Sequence, residues 1–423
     1  MAERELDVWC FEEHAGTLSD EEDGFGFAYA ESWRDAGRPP LSQCLPLDCA
    51  FERTAVAAFF GGLLPEGAAR ELVARNLGVS PDNDFALLAA LAGDTAGAIT
   101  LLAPGERPAP ARSDVEWLSD DELGALIDDL PRRPLHADAE GGYRLSLAGV
   151  QDKLPVVVDE EGRVGLTKGD TPSTHILKTA IERFEGTIVN EALCLRIGAG
   201  LGVDVAKASP RRAAGRELLP VERYDRERIE GGTRRLHQED FCQALGIPAR
   251  RKYQSEGGPG LGDCFGLVRR AVDVPARDAV KLLDAVVLSF LVGNHDGHGK
   301  NFSLLYLPGL PHTTLSPAYD VLCTVVYPGL SRKMAMSIGG EYRPEYVRSR
   351  HLDRLLEEAG LAPAAARRRL RAMAADAPKA AAKAREELAA EGWDSPVLGR
   401  IVEIVEWRAR MLAEIASAGA ASR

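Results

Sequence analysis

Between residues 277 and 320 the chain changes its hydrophobic period twice, and this run constrains the fold more than any other. Arg277 to Leu291 repeats apolar residues at helical spacing. A polar loop follows, Asn294-His295-Asp296-Gly297-His298-Gly299-Lys300-Asn301. The sequence then alternates as a strand from Phe302 to Leu307, meets a Pro308-Gly309 turn, and returns through Thr313 to Leu315 before delivering Asp320. A β-hairpin brings its two ends close together. The spacing therefore predicts that Asn301 and Asp320 meet beside Asp296, at the end of an apolar helix.

Asp296 with Asn301 five positions later is the pattern D-x-x-x-x-N. Phosphoryl transfer needs a carboxylate that orients the attacking hydroxyl and accepts its proton, and an amide oxygen that helps hold Mg²⁺. Asp320 would add a second metal ligand. Taken singly, each residue has a structural explanation as a loop or cap residue; their joint placement points to a site. His295 and His298 also suggest a metal-dependent hydrolase. The loop lacks the i, i+4 histidine pair of a zinc helix, however, and His298 reads more simply as a residue that shapes the loop by hydrogen bonding.

Upstream, Ser146-Leu147-Ala148-Gly149-Val150-Gln151-Asp152-Lys153 lies between two strand patterns. A small-residue turn of this kind can aim backbone N–H groups at phosphates, although a plain hairpin turn explains it too. Lys178 ends the strand-like Ser173 to Lys178, where it could pair with nucleotide phosphates, and Glu191 on the next helix could hold it. The segment Glu222-Arg223-Tyr224 follows a strand-like Glu217 to Val221 and offers backbone groups to an adenine ring.

Elsewhere the periodicity predicts strands at Leu6 to Phe11 and Gly24 to Tyr29 around a turn at Gly16. Helices are expected over Thr54 to Leu77, Asp84 to Gly93, Ser119 to Leu130 and Asn190 to Gly200, with strands at Leu154 to Val158 and Val164 to Thr167. Beyond Gln238 the chain reads as mostly helical: Gln238 to Leu245, Gly260 to Val272, and three helices opening on proline, Pro363 to Ala375, Pro378 to Ala390 and Pro396 to Ile415. The Pro-rich stretches near residues 103–112 and 131–134 read as connectors.

Composition excludes some classes. A net charge of −13 over 423 residues leaves no broad phosphate-binding surface, so direct nucleic-acid binding by the chain alone is not expected. Seven cysteines without zinc-like spacing read as reduced, mostly buried thiols. With no apolar run of membrane-spanning length and no secretory signal, a cytoplasmic protein without membrane contact is expected.

In this order, Ser146 to Lys153, Thr174-His175-Ile176-Leu177-Lys178, Val221-Glu222-Arg223-Tyr224-Asp225-Arg226, Leu236 to Gln243, Lys252 to Gly260 and Gly293 to Ser303 resemble the HipA family of serine/threonine-protein kinase toxins. Ala15 to Ser19 and Phe60 to Glu66 resemble the family's small N-terminal subdomain.

The resemblance implies an α+β, two-lobed, protein-kinase-like fold with a sheet-rich N-terminal lobe, a small extra subdomain and a mostly helical C-terminal lobe. Expected boundaries are residues 1–105, 135–235 and 236–423. It also implies ATP and Mg²⁺ as cofactors, with Asp296 as the catalytic aspartate and Asn301 and Asp320 as metal ligands. Lys178, Lys153, Ala148, Gly149, Val150, Gln151, Asp152, Glu222, Arg223, Tyr224 and His298 fall on the nucleotide side. Ser146 matches the family's autophosphorylated serine.

The implied role is a toxin that phosphorylates a protein substrate, typically an aminoacyl-tRNA synthetase, promotes growth arrest and persistence, and meets DNA only through a HipB-like helix-turn-helix antitoxin. A catalytically weak homologue serving as antitoxin-binding corepressor is the alternative. Two departures stand out: His295 where the family commonly has Thr, and Tyr224 where Phe is frequent.

Overall fold

The computed structural model describes residues 4–22, 24–90, 95–108, 114–130, 153–168, 171–308 and 312–418. The fold is mixed α+β and two-lobed, and the chain divides into two compact units that it enters more than once. Residues 1–179, 211–250 and 305–312 form the first unit, and residues 180–210, 251–304 and 313–423 the second.

In the first unit, β1 (Glu5–Cys10), β2 (Glu13–Glu21) and β3 (Gly24–Tyr29) make an antiparallel sheet. Gly16 is no turn: it lies inside β2, opposite Val8 and Tyr29. A Cβ there would sit 2.2 Å from the Ala28 carbonyl oxygen, so only glycine allows the strands to approach. Next come α1 (Glu31–Asp35), α2 (Arg53–Gly61), α3 (Gly67–Leu77) and α4 (Asp84–Ala90), and then β4 (Ile99–Leu102), which completes the sheet beside β1. The single helix expected over Thr54 to Leu77 is broken after Gly61 by the segment carrying Pro65, since proline lacks an amide hydrogen and clashes with the preceding turn.

A six-stranded sheet in the same unit includes β5 (Val115–Trp117), followed in sequence by α5 (Asp120–Asp129) with its Ser119 capping box, and β6 (Lys153–Val158), β7 (Val164–Thr167) and β8 (His175–Thr179). After β8 the chain leaves for α6 (Thr187–Gly200) and returns as β9 (Arg211–Ala213) and β10 (Arg216–Glu222). β10 pairs antiparallel with β8, and the sheet order is β5-β7-β6-β8-β10-β9. β11 (Arg226–Ile229) and β12 (Gly232–Arg235) form a ribbon, and β13 (His237–Asp240) leads into α7 (Phe241–Ala244). The helix expected from Gln238 thus begins three residues late. Asp240 in extended conformation caps Gln243 N–H, which fixes the helix start there.

The second unit holds α6, α8 (Leu261–Ala271), α9 (Pro275–Val292), the bases of β14 (Ser303–Leu307) and β15 (His312–Leu315), α10 (Ser349–Ala359), α11 (Pro363–Ala390) and α12 (Pro396–Ser417). Two of the helices expected to open on proline are one: α11 runs through Pro378. Its buried residues Ala366, Leu370, Met373, Ala377, Ala381, Ala384 and Leu388 repeat every three or four positions across the proline. That unbroken apolar stripe packs against α12 and offsets a proline cost of about 3 kcal/mol.

Five of the seven cysteines are buried, and all seven are free thiols. Among the described residues, no helix is long and apolar enough to cross a membrane.

Candidate active site

The loop of the second unit is built outward from the end of α9. Gly293 closes that helix in the left-handed conformation (φ 74°), which favours glycine. Its carbonyl accepts from the Thr324 and Val325 amides at 3.1 and 3.3 Å. Asn294 donates its amide to Ser289 O (2.8 Å), and its side-chain oxygen accepts from Asp296 N–H (3.0 Å). The next turn, Gly299–Asn301, is closed by Asn301 Oδ1 accepting from His298 N–H (3.1 Å). Asn294, His295, His298 and Lys300 are buried, whereas Asp296 is exposed. One carboxylate thus stands out from an otherwise packed loop.

Asp296 Oδ1 accepts a 2.8 Å hydrogen bond from the Tyr253 hydroxyl, and the Tyr253 ring meets His298 edge-on at 5.2 Å between centroids. The β14–β15 hairpin brings Asn301 and Asp320 together, as its sequence predicts. Asn301 Nδ2 lies 3.4 Å from Asp320 Oδ2. Tyr319 on the return arm donates to Lys300 O (2.7 Å), fixing the arm against the loop. Asp320 has φ 58°, a left-handed backbone that side chains other than glycine adopt rarely and that clusters at functional positions.

The His295 ring is engaged on both sides. Its Nδ1 lies 3.1 Å from Ser331 O and its Nε2 3.0 Å from Arg408 Nη2, so both ring nitrogens are occupied. Burial, and then the Arg408 guanidinium, lower its pKa to about 4. Among the described residues, no group of three or more His, Cys, Asp and Glu is placed to hold a metal.

A cavity of about 360 Å³ opens on the Asn301 side of the hairpin, but its lining includes neither Asp296 nor Asp320. Its cations Arg277, Lys281 and Arg369 pair with Asp278, Asp204 and Asp284.

Of the residues expected on the nucleotide side, Lys153, Lys178 and Glu222 to Tyr224 lie in the first unit and His298 in the second. Lys153 and Lys178 are register partners on β6 and β8, both inside the six-stranded sheet, and Lys178 is buried. Glu222 ends β10 opposite His175. The Arg223 side chain is consumed by structure: it pairs with buried Asp225 and donates to Ser173 Oγ and Thr95 O, and its amide bonds to Thr174 O. Tyr224 donates its hydroxyl to Gln238 Oε1. Ser146 and Ala148 to Asp152 lie outside the described residues. Glu191 is buried on α6, in the second unit.

Sequence reasoning missed the roles of Tyr253 and Arg408. Tyr253 stood in the quoted Lys-Tyr-Gln segment, a signal without an assigned task. Arg408 lies more than a hundred residues from the loop, on a helix whose amphipathic pattern marks only its packing face.

A sheet-rich lobe carrying two lysines in register, and a helical lobe whose loop presents an exposed carboxylate together with an Asn–Asp pair, define a kinase-like class of protein. Residues 145–381 match the HipA-like C-terminal domain and residues 6–102 the HipA N-terminal domain. The protein Y4mE of Sinorhizobium fredii is 44% identical over 97% of this chain and 99% of its own length. The serine/threonine-protein kinase toxin HipA of Shewanella oneidensis is 31% identical over 80% of this chain and 79% of its own. A chain of the solved complex of Shewanella oneidensis MR-1 HipA, HipB and its operator DNA superposes with a TM-score of 0.81 at 26% identity, covering 96% of both chains. The chain belongs to the HipA family of kinases.

Proposed function

We propose that the chain is a toxin kinase that transfers the γ-phosphoryl group of ATP to a serine or threonine of a protein. The observation that carries this reading is the exposed Asp296, held by Tyr253 and its own loop next to the Asn301–Asp320 pair. Asp296 orients the acceptor hydroxyl and takes its proton as the new P–O bond forms. Tyr253 holds the carboxylate in place through Oδ1. Lys178 and Lys153, side by side on β8 and β6, supply positive charge for phosphates, with the loop from Ala148 to Asp152 beside Lys153 in sequence. Glu222 to Tyr224 serve the adenine through backbone groups, because the Arg223 side chain is already engaged. His298 supports the loop rather than the reaction.

Asn301 Oδ1 and the Asp320 carboxylate are hard oxygen donors, a set that suits Mg²⁺ with the remaining coordination left to waters and phosphate oxygens. When bound, the ion neutralises charge on the phosphates.

Phosphorylation of Ser146 adds about 1.5 to 2 negative charges next to the phosphate loop and would switch the kinase off by repulsion. An aminoacyl-tRNA synthetase is the substrate the family suggests, and a HipB-like antitoxin the partner through which DNA is met. Label transfer from radioactive ATP into a bacterial lysate tests the reading. Transfer by the wild type and none by Asp296→Ala is expected; equal labelling by both refutes the assignment. Mass spectrometry after incubation with MgATP should find phosphate on Ser146.

A further inference from the structure

His295 is clamped on four sides. Its amide donates to Thr324 Oγ1 (2.9 Å), its carbonyl accepts from Ala335 N–H (2.8 Å), Nδ1 faces Ser331 O (3.1 Å) and Nε2 faces Arg408 Nη2 (3.0 Å). A guanidinium only donates. Nε2 must therefore carry the lone pair, and Nδ1 the proton given to Ser331. The contacts fix a single neutral tautomer of the ring.

Arg408 projects from α12 and is only 3% exposed. Its guanidinium lies over the rings of Phe290 and Trp407, at 5.1 and 5.3 Å, and among the described residues its Nε and Nη1 have no hydrogen-bond partner. A buried cation without a carboxylate is costly. Among the described residues, its one hydrogen bond to another side chain goes to the residue immediately before Asp296. The other three contacts of His295 all go to residues 324–335, the segment that continues from Asp320. Loop, following segment and α12 thus converge on one imidazole, all within the second unit.

We propose that Arg408 and His295 form a positioning strut that sets the distance between Asp296 and the segment following Asp320. The proposal rests on the kinase reading, because it takes Asp296 as the base. Arg408 touches no reacting atom; it acts through His295. Burial and the Arg408 guanidinium keep the ring neutral down to about pH 4, with Arg332 and Glu345 the other charged groups acting on it. The strut therefore stays intact across the neutral range. Loss of the contact lets the loop shift, and a displacement of about 1 Å at a reacting group costs about 10²-fold in rate.

The test uses the full chain and the initial rate of ADP formation from MgATP. Arg408→Met keeps the apolar stem and removes the donor, an exchange that is often neutral for stability. It should lower kcat about 10²-fold with KM for MgATP within about twofold of wild type and no fall in melting temperature. His295→Leu should lose as much. His295→Gln should recover most of the rate, because its amide can both accept from Arg408 and donate to Ser331; the two His295 variants decide the matter if Arg408→Met fails to fold.

Unchanged kcat in Arg408→Met and His295→Leu overturns the strut. So does a joint loss of kcat, KM and melting temperature that His295→Gln does not repair. A wild-type chain no faster than Asp296→Ala removes the kinase reading, and the strut falls with it.

Discussion

Two polar clusters of this molecule are made of similar residues and put to opposite use. Around Asp296 the hydrogen bonds of Asn294, Asn301 and Tyr253 leave a carboxylate facing solvent. Around Glu239, on β13 of the first unit, Ser42 Oγ, the Gln43 amide and the Tyr306 hydroxyl all close on a carboxyl group that is 0% exposed. Beside it His237 donates Nε2–H to Leu41 O (2.7 Å) and stacks on Tyr306. Burial lifts Glu239 to about 7 and lowers His237 to about 4. One cluster leaves its carboxylate exposed. The other joins the N-terminal segment near Leu41 to β13 and the hairpin tip.

The sharpest way to break the comparison is Asp296→Asn. Phosphate transfer should fall about 10³-fold, while urea unfolding shifts by less than about 0.5 kcal/mol. Glu239→Ala should do the reverse, costing about 3 kcal/mol of stability because three donors lose a buried acceptor, with Asp296-dependent turnover surviving wherever the chain remains folded.

A pH series sharpens the contrast. Below pH 4.5 Glu239 is protonated folded and unfolded; between 4.5 and about 7 only the folded chain keeps the proton. Its stability contribution should decline by up to about 1.4 kcal/mol per pH unit over that window and level off above it. Glu239→Gln should remove that decline, seen as a wild-type-minus-variant difference in urea melts. The smallest effect belongs to Tyr253→Phe. Losing one hydrogen bond worth about 1 kcal/mol should slow kcat about fivefold and leave the melting temperature unchanged.

Local signals carried much of this in the sequence. The hairpin that joins Asn301 to Asp320 was legible because a strand, a Pro-Gly turn and a return strand have one compact solution. The strands at Lys153 and Lys178 were legible through alternation, and a helix from Ser119 was expected where α5 begins. What failed was decided by distant packing. Pro378 should end a helix, yet a stripe of alanines facing α12 carries the helix through it. Gly16 looked like a turn because the reason for glycine there is the Ala28 carbonyl on the neighbouring strand. Arg408 was invisible for the same reason, since nothing within its own helix announces His295.

The alternating ownership of the chain has a consequence for synthesis. The first unit needs residues 211–250 and 305–312 as well as its opening 179. With domains emerging from the ribosome at about 5 to 20 residues per second, the strand that pairs with β8 appears only after α6 has been made. The Tyr306 contact to Glu239 appears later still, after Asp296 and Asn301. A chain truncated anywhere before residue 312 therefore lacks a finished first unit, so neither a stalled nor a clipped product can release that lobe intact.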